Sequence, residues 1–140
     1  MASHNTSTCY TKKEILIMDS SDSVNCVQLN CHHSKSVTAS LQNTMITSTT
    51  LVLLQEPYLY QGVVSGFSRA LVMHAAGENP RACIVAGHKV NVWPDPAFTS
   101  RDMATVVLKG GRQNTYISSI YLDITHEGVT LSSHLNYLYS

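Results

Sequence analysis

Charge is scarce in this chain. Only 13% of its 140 residues are charged, nine basic against nine acidic, and the formal net charge is zero. That excludes a surface basic throughout, because affinity for nucleic acid rests largely on neutralising phosphates with Lys and Arg. Lys35, Lys89, Lys109 and Arg112 are the candidates for a local patch, and their spacing reads as a dispersed, solvated set. Long apolar runs are missing too: none approaches the roughly 20 residues of a membrane helix, so no membrane partner is expected. The four cysteines, Cys9, Cys26, Cys31 and Cys83, lack metal-ligand spacing. They read as buried, reduced thiols, which suits an intracellular protein. The N-terminus, Met-Ala-Ser-His-Asn-Thr-Ser-Thr, does not read as a signal peptide. No internal repeat and no Gly/Ser linker suggests a second folded unit. No His-Glu-x-x-His pattern occurs, and His74, His88, His126 and His134 read as ordinary surface or half-buried residues.

What is present fits one globular domain. With 44% hydrophobic residues the chain can bury a core. Residues 1–23 are rich in Ser, Thr and Asp and read as a flexible lead-in, interrupted by Ile15-Leu16-Ile17-Met18. Residues 24–140 read as the domain. Leu51-Val52-Leu53-Leu54 is an apolar run that reads as a buried strand, and it meets Glu56 just before Pro57. A carboxylate at a strand end is costly to bury without a partner. Two readings stay open: a structural ion pair with Lys or Arg, or a cation site. Upstream, residues 24–30 form a second strand-like run ending in Asn30. After it comes a helix-like segment with Val37, Leu41 and Met45 on one face and Ser34 as its N-cap. Strand, helix, strand would bring Asn30 and Glu56 to one rim, an amide beside a carboxylate, which suits a hard cation.

Downstream, residues 70–75 and 82–86 are apolar runs joined by Gly77-Glu78-Asn79-Pro80, which reads as a hairpin. Residues 104–108 and 115–122 read as another, around Gly110-Gly111. Pro94-Asp95-Pro96 marks a loop, and Trp93 beside it reads as a core or loop anchor. Leu131, Leu135 and Leu138, with Thr130 as cap, suggest a terminal helix. The expected fold class is α/β, layered α+β, with helices against a mixed or antiparallel sheet.

Five segments, in order, carry a resemblance: residues 28–35 (Gln-Leu-Asn-Cys-His-His-Ser-Lys), 54–58 (Leu-Gln-Glu-Pro-Tyr), 79–84 (Asn-Pro-Arg-Ala-Cys-Ile), 98–102 (Phe-Thr-Ser-Arg-Asp) and 118–123 (Ser-Ser-Ile-Tyr-Leu-Asp). Together they resemble the endonuclease domain of insect-type non-LTR retrotransposon polyproteins, within the endonuclease/exonuclease/phosphatase superfamily. The resemblance implies an incomplete half of a four-layer α/β-sandwich of the DNase I-like type. It also implies a Mg2+ cofactor, or Mn2+ in its place, a DNA partner and a nuclear location. It gives Glu56 the role of metal-binding glutamate. Asn30 would orient that glutamate or the scissile phosphate, and is a candidate metal ligand with it. Tyr121 would hydrogen-bond the phosphate. Where the family has Tyr-x-Pro this chain has Tyr121-Leu122-Asp123, and Arg101-Asp102 match a pattern of the retrotransposon branch without an assigned role. His33-Ser34-Lys35 resembles a loop that frames the rim, and of the adjacent pair His32 and His33 at most one is expected to face the site.

The implied activity is Mg2+-dependent phosphodiester hydrolysis, nicking target DNA to free a 3′ hydroxyl for reverse transcription. The family's set continues with Gly-Asp-x-Asn and Ser-Asp-His segments, and this sequence contains neither. Hydrolysis needs both a generated nucleophile and stabilised charge. The expectation is therefore an N-terminal endonuclease part, weak or inactive by itself, or alternatively a non-catalytic relic that serves as a binding module.

Overall fold

The computed structural model describes residues 10–16, 23–110 and 112–123. The terminal segment bearing Thr130, Leu131, Leu135 and Leu138 lies outside the described residues, as do Cys9, His126 and His134. Chain order is β1 (Tyr10–Leu16), β2 (Ser23–Asn30), α1 (Lys35–Thr44), β3 (Thr50–Gln55), β4 (Leu59–Tyr60), β5 (Val63–Val64), β6 (Val72–His74), β7 (Ala82–Ala86), β8 (Val92–Pro94), a 3-10 turn (Pro96–Phe98), β9 (Met103–Gly110) and β10 (Gln113–Ile120). The result is a layered α+β fold of mixed sheets with few helices. The order β1-β2-β3-β7-β6 makes a five-stranded sheet, β10-β9-β8 a three-stranded one, and β4-β5 a small ribbon.

The strand, helix, strand unit forms as its sequence predicts. β2 and β3 run parallel with Asn30 opposite Gln55, a geometry that requires a crossover such as α1 between them. Ser34 caps α1: its backbone is extended and its Oγ accepts the Val37 N–H at 3.2 Å. Both hairpins also form, β6 against β7 and β9 against β10, antiparallel.

The central strands are buried on both faces, which is why β3 and β7 read as unbroken apolar runs. Alternation divides their side chains between two cores. Leu51, Leu53, Ile84 and Ala86 pack on Ala104, Val106 and Leu108 of β9. Val52, Leu54, Cys83 and Val85 pack with Leu41 of α1 and Val64. The layers are thus α1, the five-stranded sheet, and the three-stranded sheet. Gly87 closes the far end of β7, where a Cβ would lie 2.5 Å from the carbonyl oxygens of Thr47 and Ser48.

Two expectations need correction. Residues 10–16 are not a lead-in separate from the fold: β1 pairs antiparallel with β2 from Tyr10 opposite Leu29 to Leu16 opposite Ser23. Trp93 is no core anchor either. It is 57% exposed, on β8 opposite Val107, whose other cross-strand neighbour is the exposed Tyr116. These three share the outer face of the three-stranded sheet, because the inward positions of β9 are Ala104, Val106 and Leu108.

Candidate functional site

The ends of five strands meet at one rim: the last residues of β2, β3 and β10 and the first of β7 and β9. Register fixes this, since Asn30 lies opposite Gln55, Gln55 opposite Ala82, and Ile120 opposite Met103. The two sheets are joined there by the Arg101 carbonyl, which accepts the N–H groups of Arg81 at 2.7 Å and Ala82 at 3.2 Å. Just beneath, the buried Gln55 side chain donates to Ser119 Oγ at 2.9 Å, and that hydroxyl donates to the Leu54 carbonyl at 2.7 Å. A polar bridge between two apolar cores is favourable only when its groups find partners, and this one ties the β3 end to the β10 end. The rim therefore gathers Asn30, Glu56 and Tyr121, the three residues singled out in the sequence.

Glu56 is the first residue beyond β3, and its φ of 48° turns the chain sharply there. Its N–H donates to the Arg81 carbonyl at 2.9 Å and its carbonyl accepts the His33 N–H at 2.8 Å. The side chain nearest its carboxylate is not the Lys or Arg expected of a structural pair but His32: Nδ1 lies 3.5 Å from Oε2, with the side chains 56% and 23% exposed. That contact is long and open to water. Asn30 acts one step away. Its Oδ1 accepts the His32 N–H at 2.9 Å, holding the turn that brings His32 to Glu56. His33 does frame the rim, with Nδ1 3.1 Å from the Pro57 carbonyl. His32 and His33 both sit in a turn, with φ of 50° and 57°, so it is the turn and not a strand's alternation that sets which way each side chain points.

The Tyr121 side of the rim is more tightly organised. The Tyr121 N–H donates to the Asp102 carbonyl at 2.8 Å. The Arg81 guanidinium lies over the Tyr121 ring, 4.7 Å from its centroid. Nε and Nη2 of Arg81 donate to the two Asp102 carboxylate oxygens at 2.6 and 2.7 Å, and Nη1 to Asp123 Oδ2 at 3.4 Å. This is a fork-to-fork pair, the strong geometry for Arg and carboxylate. The Asp102 hydrogen bond holds the guanidinium above its ordinary pKa, with burial acting against it. Arg101, by contrast, turns its Nε to the Asn79 carbonyl at 3.1 Å, bracing the loop before β7.

Sequence reasoning did not single out Arg81, Gln55 or Ser119. The available signal was positional: Arg81 immediately precedes β7, Asp102 immediately precedes β9, and Asp123 follows β10 closely, all at one rim. For a metal, Glu56 is the available carboxylate of the open side, since Asp102 and Asp123 hold Arg81. Among the described residues no group of three or more His, Cys, Asp or Glu could hold a metal ion. Among the same residues no helix is long and apolar enough to cross a membrane.

No protein-family model and no curated protein matches this chain. Among solved structures it is similar to the endonuclease domain of TRAS1, a telomere-specific non-LTR retrotransposon, with a TM-score of 0.64 and 20% identity. The match covers 92% of this chain and 53% of that one, so the chain spans about half the length of the solved domain. The likeness is one of fold, and it establishes an endonuclease-like fold for the described residues.

Proposed function

We propose that this chain carries the cation- and phosphate-binding rim of a metal-dependent DNA endonuclease of the retrotransposon type. The observation that supports this reading is the convergence of Asn30, Glu56 and Tyr121 at the strand ends of an endonuclease-like fold. Glu56 would hold Mg2+. That ion commonly takes one or two carboxylates, completing its shell with waters and substrate phosphates, so a single carboxylate reachable from solvent fits it. When bound, the ion would supply electrostatic stabilisation of charge on the phosphoryl oxygens.

The chain's own groups would do the rest of the binding. The Tyr121 hydroxyl would donate to a non-bridging phosphate oxygen. The Asn30 turn would keep His32 beside Glu56, where a phosphate could draw the imidazole away from the carboxylate. The sequence contains neither a Gly-Asp-x-Asn nor a Ser-Asp-His segment. This chain alone would therefore bind DNA with Mg2+ and nick it weakly or not at all.

Two measurements on the purified chain test the proposal. Fluorescence anisotropy with a labelled duplex should show Mg2+-dependent binding that Glu56→Gln abolishes and Tyr121→Phe weakens. Supercoiled plasmid with Mg2+ should remain essentially uncut. Binding indifferent to Mg2+ and to both substitutions would remove the rim from the function. Robust Glu56-dependent nicking would overturn the assignment of a partial catalytic set.

A further inference from the structure

We infer that Arg81 is a positioning residue: clamped by Asp102 and Asp123, it sets the Tyr121 ring at the rim. The inference rests on the proposed role of Tyr121 and assigns what orients it. Asp102 grips Tyr121 twice. Its carbonyl takes the Tyr121 N–H, and its carboxylate holds, on both oxygens, the guanidinium that covers the ring. Asp123 completes the clamp from beyond the tyrosine through Nη1.

The connection extends to the acid. The Arg81 carbonyl accepts the Glu56 N–H, so one residue is bonded through its main chain to the Glu56 turn and stacked through its side chain on Tyr121. A cation over an aromatic face favours a defined separation and orientation, and the bidentate Asp102 contact fixes the plane of the guanidinium. Lysine at position 81 would keep the charge and lose that plane.

The test uses the full chain with ring-labelled tyrosine, the Tyr121 signal being identified by its loss in Tyr121→Phe. In the parent chain the ring should show a nuclear Overhauser contact to the Arg81 side chain. Arg81→Met should abolish the position-specific shift of the Tyr121 signal. Arg81→Lys should restore it only in part, and Asp123→Asn should move it partway. If Arg81→Met does not fold, Asp123→Asn and Arg81→Lys carry the same comparison. A Tyr121 signal unchanged by these substitutions in folded chains would overturn the inference. A labelled duplex with Mg2+ separates the two readings. If Tyr121 shifts as expected while Tyr121→Phe leaves duplex binding intact, positioning stands and the phosphate role of Tyr121 falls. If the duplex reading holds, Arg81→Met should weaken binding, and adding Tyr121→Phe should weaken it little further, as expected of coupled residues.

Discussion

The two sides of the rim differ in how their charges are used. On one side Asp102 grips the Arg81 guanidinium with both oxygens at 2.6 and 2.7 Å, and Asp123 adds a longer contact at 3.4 Å. On the other, Glu56 meets only a half-exposed histidine at 3.5 Å. A carboxylate locked in a fork to arginine is scaffolding, since withdrawing it strands a charge. A carboxylate with a long, wet contact can exchange its partner for a cation at little cost. A carboxylate thus serves structure at position 102, whereas the one at position 56 carries no comparable short contact to a cation.

Substitution on the closed side should have the largest effect. Arg81→Met leaves two carboxylates without their cation and should cost about 1–3 kcal/mol of stability, read by urea unfolding. A loss near zero would break the distinction between the two sides. Next comes acidification, which acts away from the rim. Burial lowers the pKa of His74 from its ordinary 6.5, and its Nε2 is buried without a hydrogen-bond partner among the described residues. Its folded pKa lies below its unfolded one, so the unfolded chain binds the proton more readily, and stability falls as pH drops below 6.5. Urea midpoints at pH 7.5 and 5.5 should show that fall, with a smaller difference in His74→Gln. The smallest change in stability is expected on the open side. Glu56→Gln should remain within about 0.5 kcal/mol of the parent chain in urea unfolding, as surface ion pairs generally do. A cost equal to that of Arg81→Met would show Glu56 to be structural. The thiols offer an independent check on the core. Burial pushes Cys31 up to about 11 and Cys83 up to about 12, so neither should react with a thiol reagent at pH 8 until denaturant is added.

Much of the fold was legible because its strongest signals are local. The runs around Val52 and Ile84 are apolar on both faces, short, and bounded by proline and glycine, which together suit a central strand. The spacing of Val37, Leu41 and Met45 marks the helix, and the turn residues between β6 and β7 mark the hairpin. β1 was illegible because Lys12, Lys13 and Glu14 look solvated, and an edge strand satisfies that composition only through its neighbour. Trp93 misled because one aromatic beside a proline carries no information about which sheet face it occupies. Asn30 and Glu56 were findable as polar residues ending apolar strands, whereas Tyr121 follows a largely polar strand and was reached through the resemblance alone. The Arg81 clamp was not: its carboxylates come from separate loops, and an Arg–Asp pair has no characteristic spacing. Only the register of both sheets brings them together.

The backbone at the turns of the open side is itself telling. His32, His33 and Glu56 all occupy the left-handed region, with φ of 50°, 57° and 48°, where a side chain with a Cβ sits less comfortably than glycine, by roughly 1 kcal/mol for each residue. Glycine at position 56 would relieve that strain, so stability alone gives no reason for an acid there. A directed search for heat-tolerant variants should therefore find gains at these turns, with glycine at position 56 among them.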